Sequence, residues 1–286
     1  MTGSSSGSAT RSATTIAPLA VPDRGRELRA HAARKELAER RKVTDKLQTA
    51  LAENGFVLHY QPKIHLVTGQ VTGAEAMIRM MHRRRGLLSS SHFMPVAERS
   101  EIVNEISAWM LHQACAQAMR WPERLSVSLN ISQRLLRSGK LTQYVIQALA
   151  GSGLPAARLQ LEISEAMLID EHDEAMFALR AARGLGIGIA LDDFGADYGS
   201  LSVLRRMPLT AVKLDRSVVT SMQSGFGETA ILRAAIETGH ALQCVIVADG
   251  VETERQFQLL RDLGCDEAQG SFFSPPLPDV AFIAQL

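Results

Sequence analysis

The chain has 286 residues, 46% of them hydrophobic and 21% charged, with a formal net charge of +1. That length and apolar share suit one large domain with a substantial core, and the near-neutral balance gives no global attraction for a nucleic-acid polymer or an anionic membrane. Three cysteines, Cys115, Cys244 and Cys265, lie far apart without Cys-x-x-Cys spacing, which argues against a disulfide framework or a structural zinc and fits a reducing compartment.

Residues 1–22 are rich in Ser, Thr, Ala and Gly, with no periodic apolar spacing, and are expected to be disordered. They lack the apolar core of a secretory signal, and no later run approaches the ~20 apolar residues of a membrane span. The expectation is therefore a cytoplasmic protein. Residues 23–54 read as helix, dominated by Arg, Ala, Glu, Leu and Lys. Residues 1–54 carry ten basic against six acidic side chains, so 23–46 is a basic arm. Such a run is more often the solvated face of a linker helix than a nucleic-acid contact.

From Phe56 strands and helices alternate. Phe56–Leu66 and Val71–Met80 read as strands separated by only Val67–Gln70. That link is too short for a parallel crossover, so the pair is an antiparallel hairpin. Residues 91–121 have helical spacing, with Ile102, Ile106, Trp109, Met110 and Ala114 on one face. Strands follow at Ser126–Ser132, Leu159–Ser164, Ile187–Asp192, Ala211–Leu214, Cys244–Ala248 and Glu267–Phe273. Helices fall at Gln133–Ala150, Asp170–Leu185, Leu201–Met207, Glu228–Leu242 and Glu252–Leu263, with a short one from Asp279. Alternation of this kind implies a mostly parallel sheet. Eight strands over this length suit an α/β fold closed as a (β/α)8 barrel, with a doubly wound open sheet as the alternative. The glycines of Gly184-Leu185-Gly186-Ile187-Gly188 end a helix and enter a strand. A dinucleotide fingerprint needs the reverse order.

Polar residues gather at the strand exits. Ile187–Gly195 is an apolar run ending in Asp192 and Asp193. Two adjacent acids in a low dielectric repel each other, and a divalent cation is the usual way to hold them. Glu75 falls late in the second strand and Asn130 ends Ser-Val-Ser-Leu-Asn. Glu162 ends Leu-Gln-Leu-Glu, Lys213 and Asp215 close Val-Lys-Leu-Asp, Asp249 follows Val-Ile-Val-Ala, and Gln269 lies near the last strand's end. In a parallel barrel these exits share one face. One amide and several carboxylates there form an oxygen-ligand cage suited to Mg2+ or Mn2+. Any single member could equally be a helix cap or a loop hydrogen bond; so many exits together argue against that.

The motifs Tyr60-Gln61-Pro62, Gly73-Ala74-Glu75-Ala76-Met77, Leu129-Asn130-Ile131-Ser132, Leu161-Glu162-Ile163-Ser164-Glu165, Asp192-Asp193-Phe194-Gly195, Lys213-Leu214-Asp215, Ala248-Asp249-Gly250-Val251-Glu252 and Gln269-Gly270 occur in that order. In sequence and spacing, residues 47–286 resemble the EAL family of cyclic di-GMP phosphodiesterases and their silent relatives. The resemblance implies a modified TIM-like barrel with an antiparallel first strand, and Mg2+- or Mn2+-dependent hydrolysis of cyclic di-GMP to linear 5′-pGpG. It implies that Glu75, Asn130, Glu162 and Asp192 hold one metal and that Asp192 and Asp193 hold a second. Lys213 would steady charge developing at phosphorus, Asp249 would be the general base, and Glu252 would support the water. Gln61, Arg79, Asp215 and Gln269 would serve the substrate, and Glu165 would brace the loop after Asp193. A homodimer and a regulatory protein partner are further expectations of the family.

Three departures from the family pattern stand out. Met77 closes a signature that usually reads Glu-Ala-Leu, a swap that roughly conserves volume. The loop reads Gly195-Ala196-Asp197-Tyr198-Gly199-Ser200 where Gly-Thr-Gly-Tyr-Ser-Ser is common, and Asp249 replaces a Glu. None removes a metal ligand, which favours an active enzyme over a weak or silent cyclic di-GMP-binding or protein-binding regulator.

Overall fold

The computed structural model describes residues 41–168, 173–196, 201–221 and 226–286, with single positions at Met1, Gly3 and His31. The chain divides into two units, Met1–Arg41 and Lys42–Leu286. Apart from those single positions, the expected disordered start over 1–22 and the helical arm over 23–40 lie outside the described residues. The same holds for 169–172, at the start of an expected helix, and for Asp197–Ser200 in the loop after Asp193.

The second unit opens with helix α1 at 42–52. Then come β1 (Phe56–His65), β2 (Val71–His82), β3 (Gly86–Ser89), α2 (Met94–Ala97), α3 (Ile102–Ala118), β4 (Ser126–Asn130), α4 (Gln133–Arg137) and α5 (Leu141–Ser152). Next are β5 (Leu159–Ser164), α6 (Asp173–Gly184), β6 (Gly188–Phe194), α7 (Leu201–Arg206), β7 (Ala211–Leu214), α8 (Arg216–Ser221) and α9 (Phe226–Ala241). The chain finishes with β8 (Val245–Ala248), α10 (Glu254–Asp262), β9 (Glu267–Ala268), β10 (Leu277–Pro278) and α11 (Asp279–Ile283).

The strands form one sheet in the order β10-β1-β9-β8-β7-β6-β5-β4-β2-β3, and a further β1–β2 pairing closes it into an eight-stranded barrel. β1 is antiparallel to both neighbours, β2 and β9, whereas β2, β4 and the strands through β9 pair in parallel. The four-residue link imposes the hairpin, with Gly69 at φ +68 in its turn and Gln61 opposite Glu75. Gly73 lets β2 and β4 approach: a Cβ there would lie 2.4 Å from Ser126 Oγ. β3 and β10 extend the sheet beyond the closed barrel.

The period-2 alternation of a strand divides the side chains into two populations. The outward faces carry Val127, Leu129, Leu161, Ile163 and Ile189, fully buried with Ile106, Leu111, Val145 and Leu179 of the helices. Leu191, Val212, Ile246 and Ala248 join a second cluster with Leu232, Ile236 and Leu260. The inward face is unusually polar: Lys63, Glu75, Ser128, Glu162, Asp192, Lys213 and Gln269 are all buried there.

Several elements differ from the sequence expectation. The helix expected over 91–121 is two helices, because Pro95 opens α2 and the chain turns before Ile102. The helix over 133–150 breaks at Gly139, which sits at φ +69. The last strand stops at Ala268. Gly270, at φ +153, passes so close under Val251 that a Cβ would lie 2.1 Å from its carbonyl oxygen. Glu75 is not late in its strand, since β2 runs on to His82 to pair with β3.

Candidate active site

Six strands and the end of a seventh place polar side chains inside the barrel. The parallel registers set Asn130 opposite Glu162, whereas Asp192 lies opposite Ser164, two residues beyond Glu162 towards the strand exits. Lys213, on β7, is the hub. Its Nζ donates to Glu162 Oε2 at 2.6 Å and Glu75 Oε2 at 3.0 Å, and lies 3.1 Å from Asp192 Oδ1. Glu75 Oε1 accepts from Asn130 Nδ2 at 2.9 Å, and Glu75 Oε2 also accepts from Gln269 Nε2 at 2.7 Å.

Burying isolated charge is expensive, so these groups are held by one another. Burial pulls the Lys213 ammonium towards neutrality, but Glu162, Glu75 and Asp192 overcome that and hold it well above its ordinary value. Burial pushes Glu75 up, only partly relieved by Lys213. Burial also pushes Asp192 up, to about 7, with Lys213 opposing and Glu162, Glu75 and Asp193 reinforcing. Glu162 goes the other way: burial would raise it, but Lys213 and Lys63 together outweigh that and leave it below its ordinary value.

Asp193 shares the strand end but not the ion-paired hub. Its backbone has φ +58, a left-handed conformation that Asp tolerates better than most residues. Its N–H donates to Asp192 Oδ1 at 3.0 Å, its side chain is only partly exposed, and the β6–β7 register slips between Leu191 and Phe194. A bulge of this kind re-aims side chains at a barrel rim. Burial and then the Asp215 charge raise the Asp193 carboxyl.

The remaining expected residues fall around this hub. Asp249 follows β8 at the rim, and Gly250 N–H donates to its Oδ1 at 2.6 Å. Its charge bears on Glu75 and Lys213. Asp215 Oδ1 accepts from Ser217 N–H at 2.7 Å at the start of α8. Arg79, on the inward face of β2 beyond Glu75, is half-buried and donates to the Ile78 carbonyl at 3.0 Å; burial lowers its guanidinium from the ordinary value, with Glu75 opposing. Gln61 is buried and donates to the Ser274 carbonyl at 3.2 Å. Glu165 begins the turn that follows β5. Glu252 is not brought to the hub; it is exposed and ion-paired with Arg216. A cleft of about 810 Å³ opens beside Ser164, lined by Arg99, Arg134 and Arg137 together with Glu98 and Glu101.

The sequence reading missed Lys63. It lies on β1, two residues after Gln61 and on the same inward face, and its Nζ is 3.8 Å from Glu162 Oε1. That period-2 spacing was the available signal.

Among the described residues, no group of three His, Cys, Asp or Glu side chains closes into metal-binding geometry. The Lys213 ammonium stands between the carboxylates of Glu75, Glu162 and Asp192, and Asn130 donates to Glu75 through its NH2. The donor set nevertheless fits a hard divalent cation. Every candidate ligand is an oxygen, and Glu75, Glu162 and Asp192 outnumber the two ammoniums facing them. Glu162 Oε1 is buried and accepts no hydrogen bond.

Residues 44–276 match the family model for the EAL domain. The chain is 36% identical over 240 residues to the cyclic di-GMP phosphodiesterase NbdA of Pseudomonas aeruginosa, covering 82% of this chain and 31% of that protein. It is 33% identical over 244 residues to the bifunctional diguanylate cyclase/cyclic di-GMP phosphodiesterase MucR of the same organism, covering 84% and 36%. It spans about a third of the length of the curated relatives it matches. Among solved structures, the phosphodiesterase PaMucR in complex with c-di-GMP superposes with a TM-score of 0.80 at 33% identity, covering 84% of this chain and 99% of that one. The EAL enzyme Bd1971 superposes with a TM-score of 0.81 at 28% identity, covering 91% and 74%. With an antiparallel first strand closing the barrel and a carboxylate hub inside it, the chain belongs to the EAL domain family.

Proposed function

We propose that this chain hydrolyses cyclic di-GMP to linear 5′-pGpG in a reaction that requires Mg2+ or Mn2+. The observation that carries the reading is the buried excess of carboxylate over ammonium around Lys213, in a chain of this family. Glu75, Asn130, Glu162 and Asp192 would hold one cation, with Asp192 and Asp193 holding a second. The bound cations supply Lewis acidity towards the phosphodiester and a water of lowered pKa.

The chain's own residues do the rest. Arg79, on the same face as Glu75, offers a guanidinium fork to a phosphate oxygen. Lys213 neutralises carboxylate charge that would otherwise repel the anionic substrate. Asp249 takes the proton from the attacking water; Gly250 N–H occupies Oδ1, which leaves Oδ2 for this task. Water adds to phosphorus, the P–O3′ bond breaks, and the departing 3′-oxygen takes a proton from solvent. The product carries a 5′-phosphate and a 3′-hydroxyl. The neighbouring cleft mixes Arg99, Arg134 and Arg137 with Glu98 and Glu101, and Arg134 is ion-paired with Glu101.

Incubating the purified chain with cyclic di-GMP and Mn2+, then separating nucleotides by chromatography, tests the proposal. pGpG is expected, and excess EDTA should stop its formation. Cyclic di-GMP recovered intact from the Mn2+ incubation contradicts enzymatic activity, and binding without turnover identifies a nucleotide-binding regulator.

A further inference from the structure

We infer that Lys63 is a positioning residue: from the side of the barrel opposite the strand ends that carry Asp192 and Asp193, its ammonium holds the Glu162 carboxylate in the orientation that receives a divalent cation. The inference rests on the cation dependence proposed above. Lys63 is 2% exposed and Glu162 is 0% exposed, so neither charge is relieved by bulk water. The two oxygens of Glu162 face ammoniums on different strands. Oε2 is bonded by Lys213 at 2.6 Å, and Oε1 lies 3.8 Å from Lys63 Nζ with no hydrogen bond of its own.

The Lys63 ammonium is itself fixed. Two of its N–H groups are used by Ser128 Oγ at 3.1 Å and Gln160 Oε1 at 2.9 Å, on β4 and β5. Lys213 divides its charge among Glu75, Glu162 and Asp192. Lys63 makes its one ion pair with Glu162 among the described residues, so its field acts on that carboxylate without the same dilution. Groups that orient a metal ligand from behind typically change metal affinity or activity by ~10–100-fold when removed.

A purely structural lysine, present only to satisfy Gln160 and Ser128, is the competing account. The geometry permits a clean separation. Below Lys63, interior positions that would ordinarily carry bulky branched residues are Gly188, Ala211 and Ser126. A cavity of about 340 Å³ opens there, lined also by Gln160, Thr210 and Glu267. It leaves room for the longer side chain of Lys63→Arg, which keeps the positive charge; Lys63→Met keeps the length of the side chain and removes the charge.

The test is calorimetric titration of EDTA-stripped full chain with Mn2+, without nucleotide, beside thermal melts. Lys63→Met should weaken Mn2+ binding by ~10–100-fold relative to the parent, and Lys63→Arg should restore most of it. At saturating Mn2+ the KM for cyclic di-GMP should match the parent's, with the loss in kcat reversed as Mn2+ is raised. A lower melting temperature with unchanged Mn2+ affinity assigns Lys63 a structural role and overturns the inference. Where Lys63→Met fails to fold, Gln160→Met replaces it. That variant frees the ammonium on the cavity side and should also weaken Mn2+ binding; parental affinity overturns the inference. A parent that takes up no Mn2+ overturns the cation reading and this inference with it. A parent that binds Mn2+ while Lys63→Met binds it equally well overturns the Lys63 role alone.

Discussion

Lys213 Nζ and Glu162 Oε2 lie 2.6 Å apart inside the barrel, in a pair whose side chains are 1% and 0% exposed. The same ammonium reaches Glu75 and Asp192, so one cationic side chain links three strands. Lys213→Met would leave three buried carboxylates facing one another. Breaking one partner out of a buried ion pair costs about 3–5 kcal/mol. The variant should therefore melt well below the parent in EDTA, and Mn2+ should raise its melting temperature by more than it raises the parent's. Thermal melts of both proteins with and without Mn2+ check this. Equal Mn2+ shifts would separate Lys213 from the cation site.

Asp249 is shorter than Glu by one methylene, and Gly250 N–H tethers one of its oxygens. A general base must come within ~2.6–3.2 Å of the proton it takes. A misplacement of ~1 Å can cost on the order of a hundredfold in rate. The parent should bind cyclic di-GMP normally and turn it over slowly. Asp249→Glu should raise kcat with KM unchanged, and Asp249→Asn should abolish turnover. An Asp249→Asn variant as fast as the parent assigns the proton to another acceptor.

The fold was legible wherever local chain geometry leaves no choice. The link Val67–Gln70 is too short for anything but a hairpin. Asn130, Glu162 and Asp192 sit where apolar runs stop. The strand at Gly86–Ser89 was hidden behind the basic run Arg83–Arg85, because its pairing partner is the far end of β2. Gly139 lies in a stretch whose apolar spacing continues on both sides, so periodicity alone joined α4 to α5. Lys63 followed Pro62 in a strand read for its apolar residues. Its inward direction follows from the period-2 spacing with Gln61, but only barrel closure brings it to Glu162. The depth of Glu75 likewise depends on β3 prolonging β2.

Cys115 is fully buried, and burial pushes its thiol from an ordinary 9.0 up to about 12 against a smaller opposing hydrogen bond with Ser152. Below pH 9 the thiol is neutral in folded and unfolded chains alike. Between pH 9 and 12 the unfolded chain loses its proton first, so stability falls as pH rises, with a limiting slope of about 1.4 kcal/mol per pH unit. Urea unfolding at pH 8, 9 and 10 should show a shallower decline for Cys115→Ala than for the parent. Parallel declines would show that this thiol ionises without burden in the fold.

The carboxylate hub draws every described member from Lys42–Leu286. Removing residues 1–40 should leave soluble protein with near-parental kcat at saturating cyclic di-GMP. A folded but inactive truncation would make the arm part of the catalytic unit.

Glu75 is the point where Asn130, Gln269 and Lys213 all converge. Glu75→Gln keeps its shape and removes its charge. The most direct measurement is pGpG formation by parent and Glu75→Gln at saturating cyclic di-GMP and Mn2+, on preparations whose melting curves establish that both are folded. Turnover by the parent, abolished by EDTA, is expected, with none above background for Glu75→Gln. Parental turnover by a folded Glu75→Gln, or by the parent in excess EDTA, would contradict that expectation.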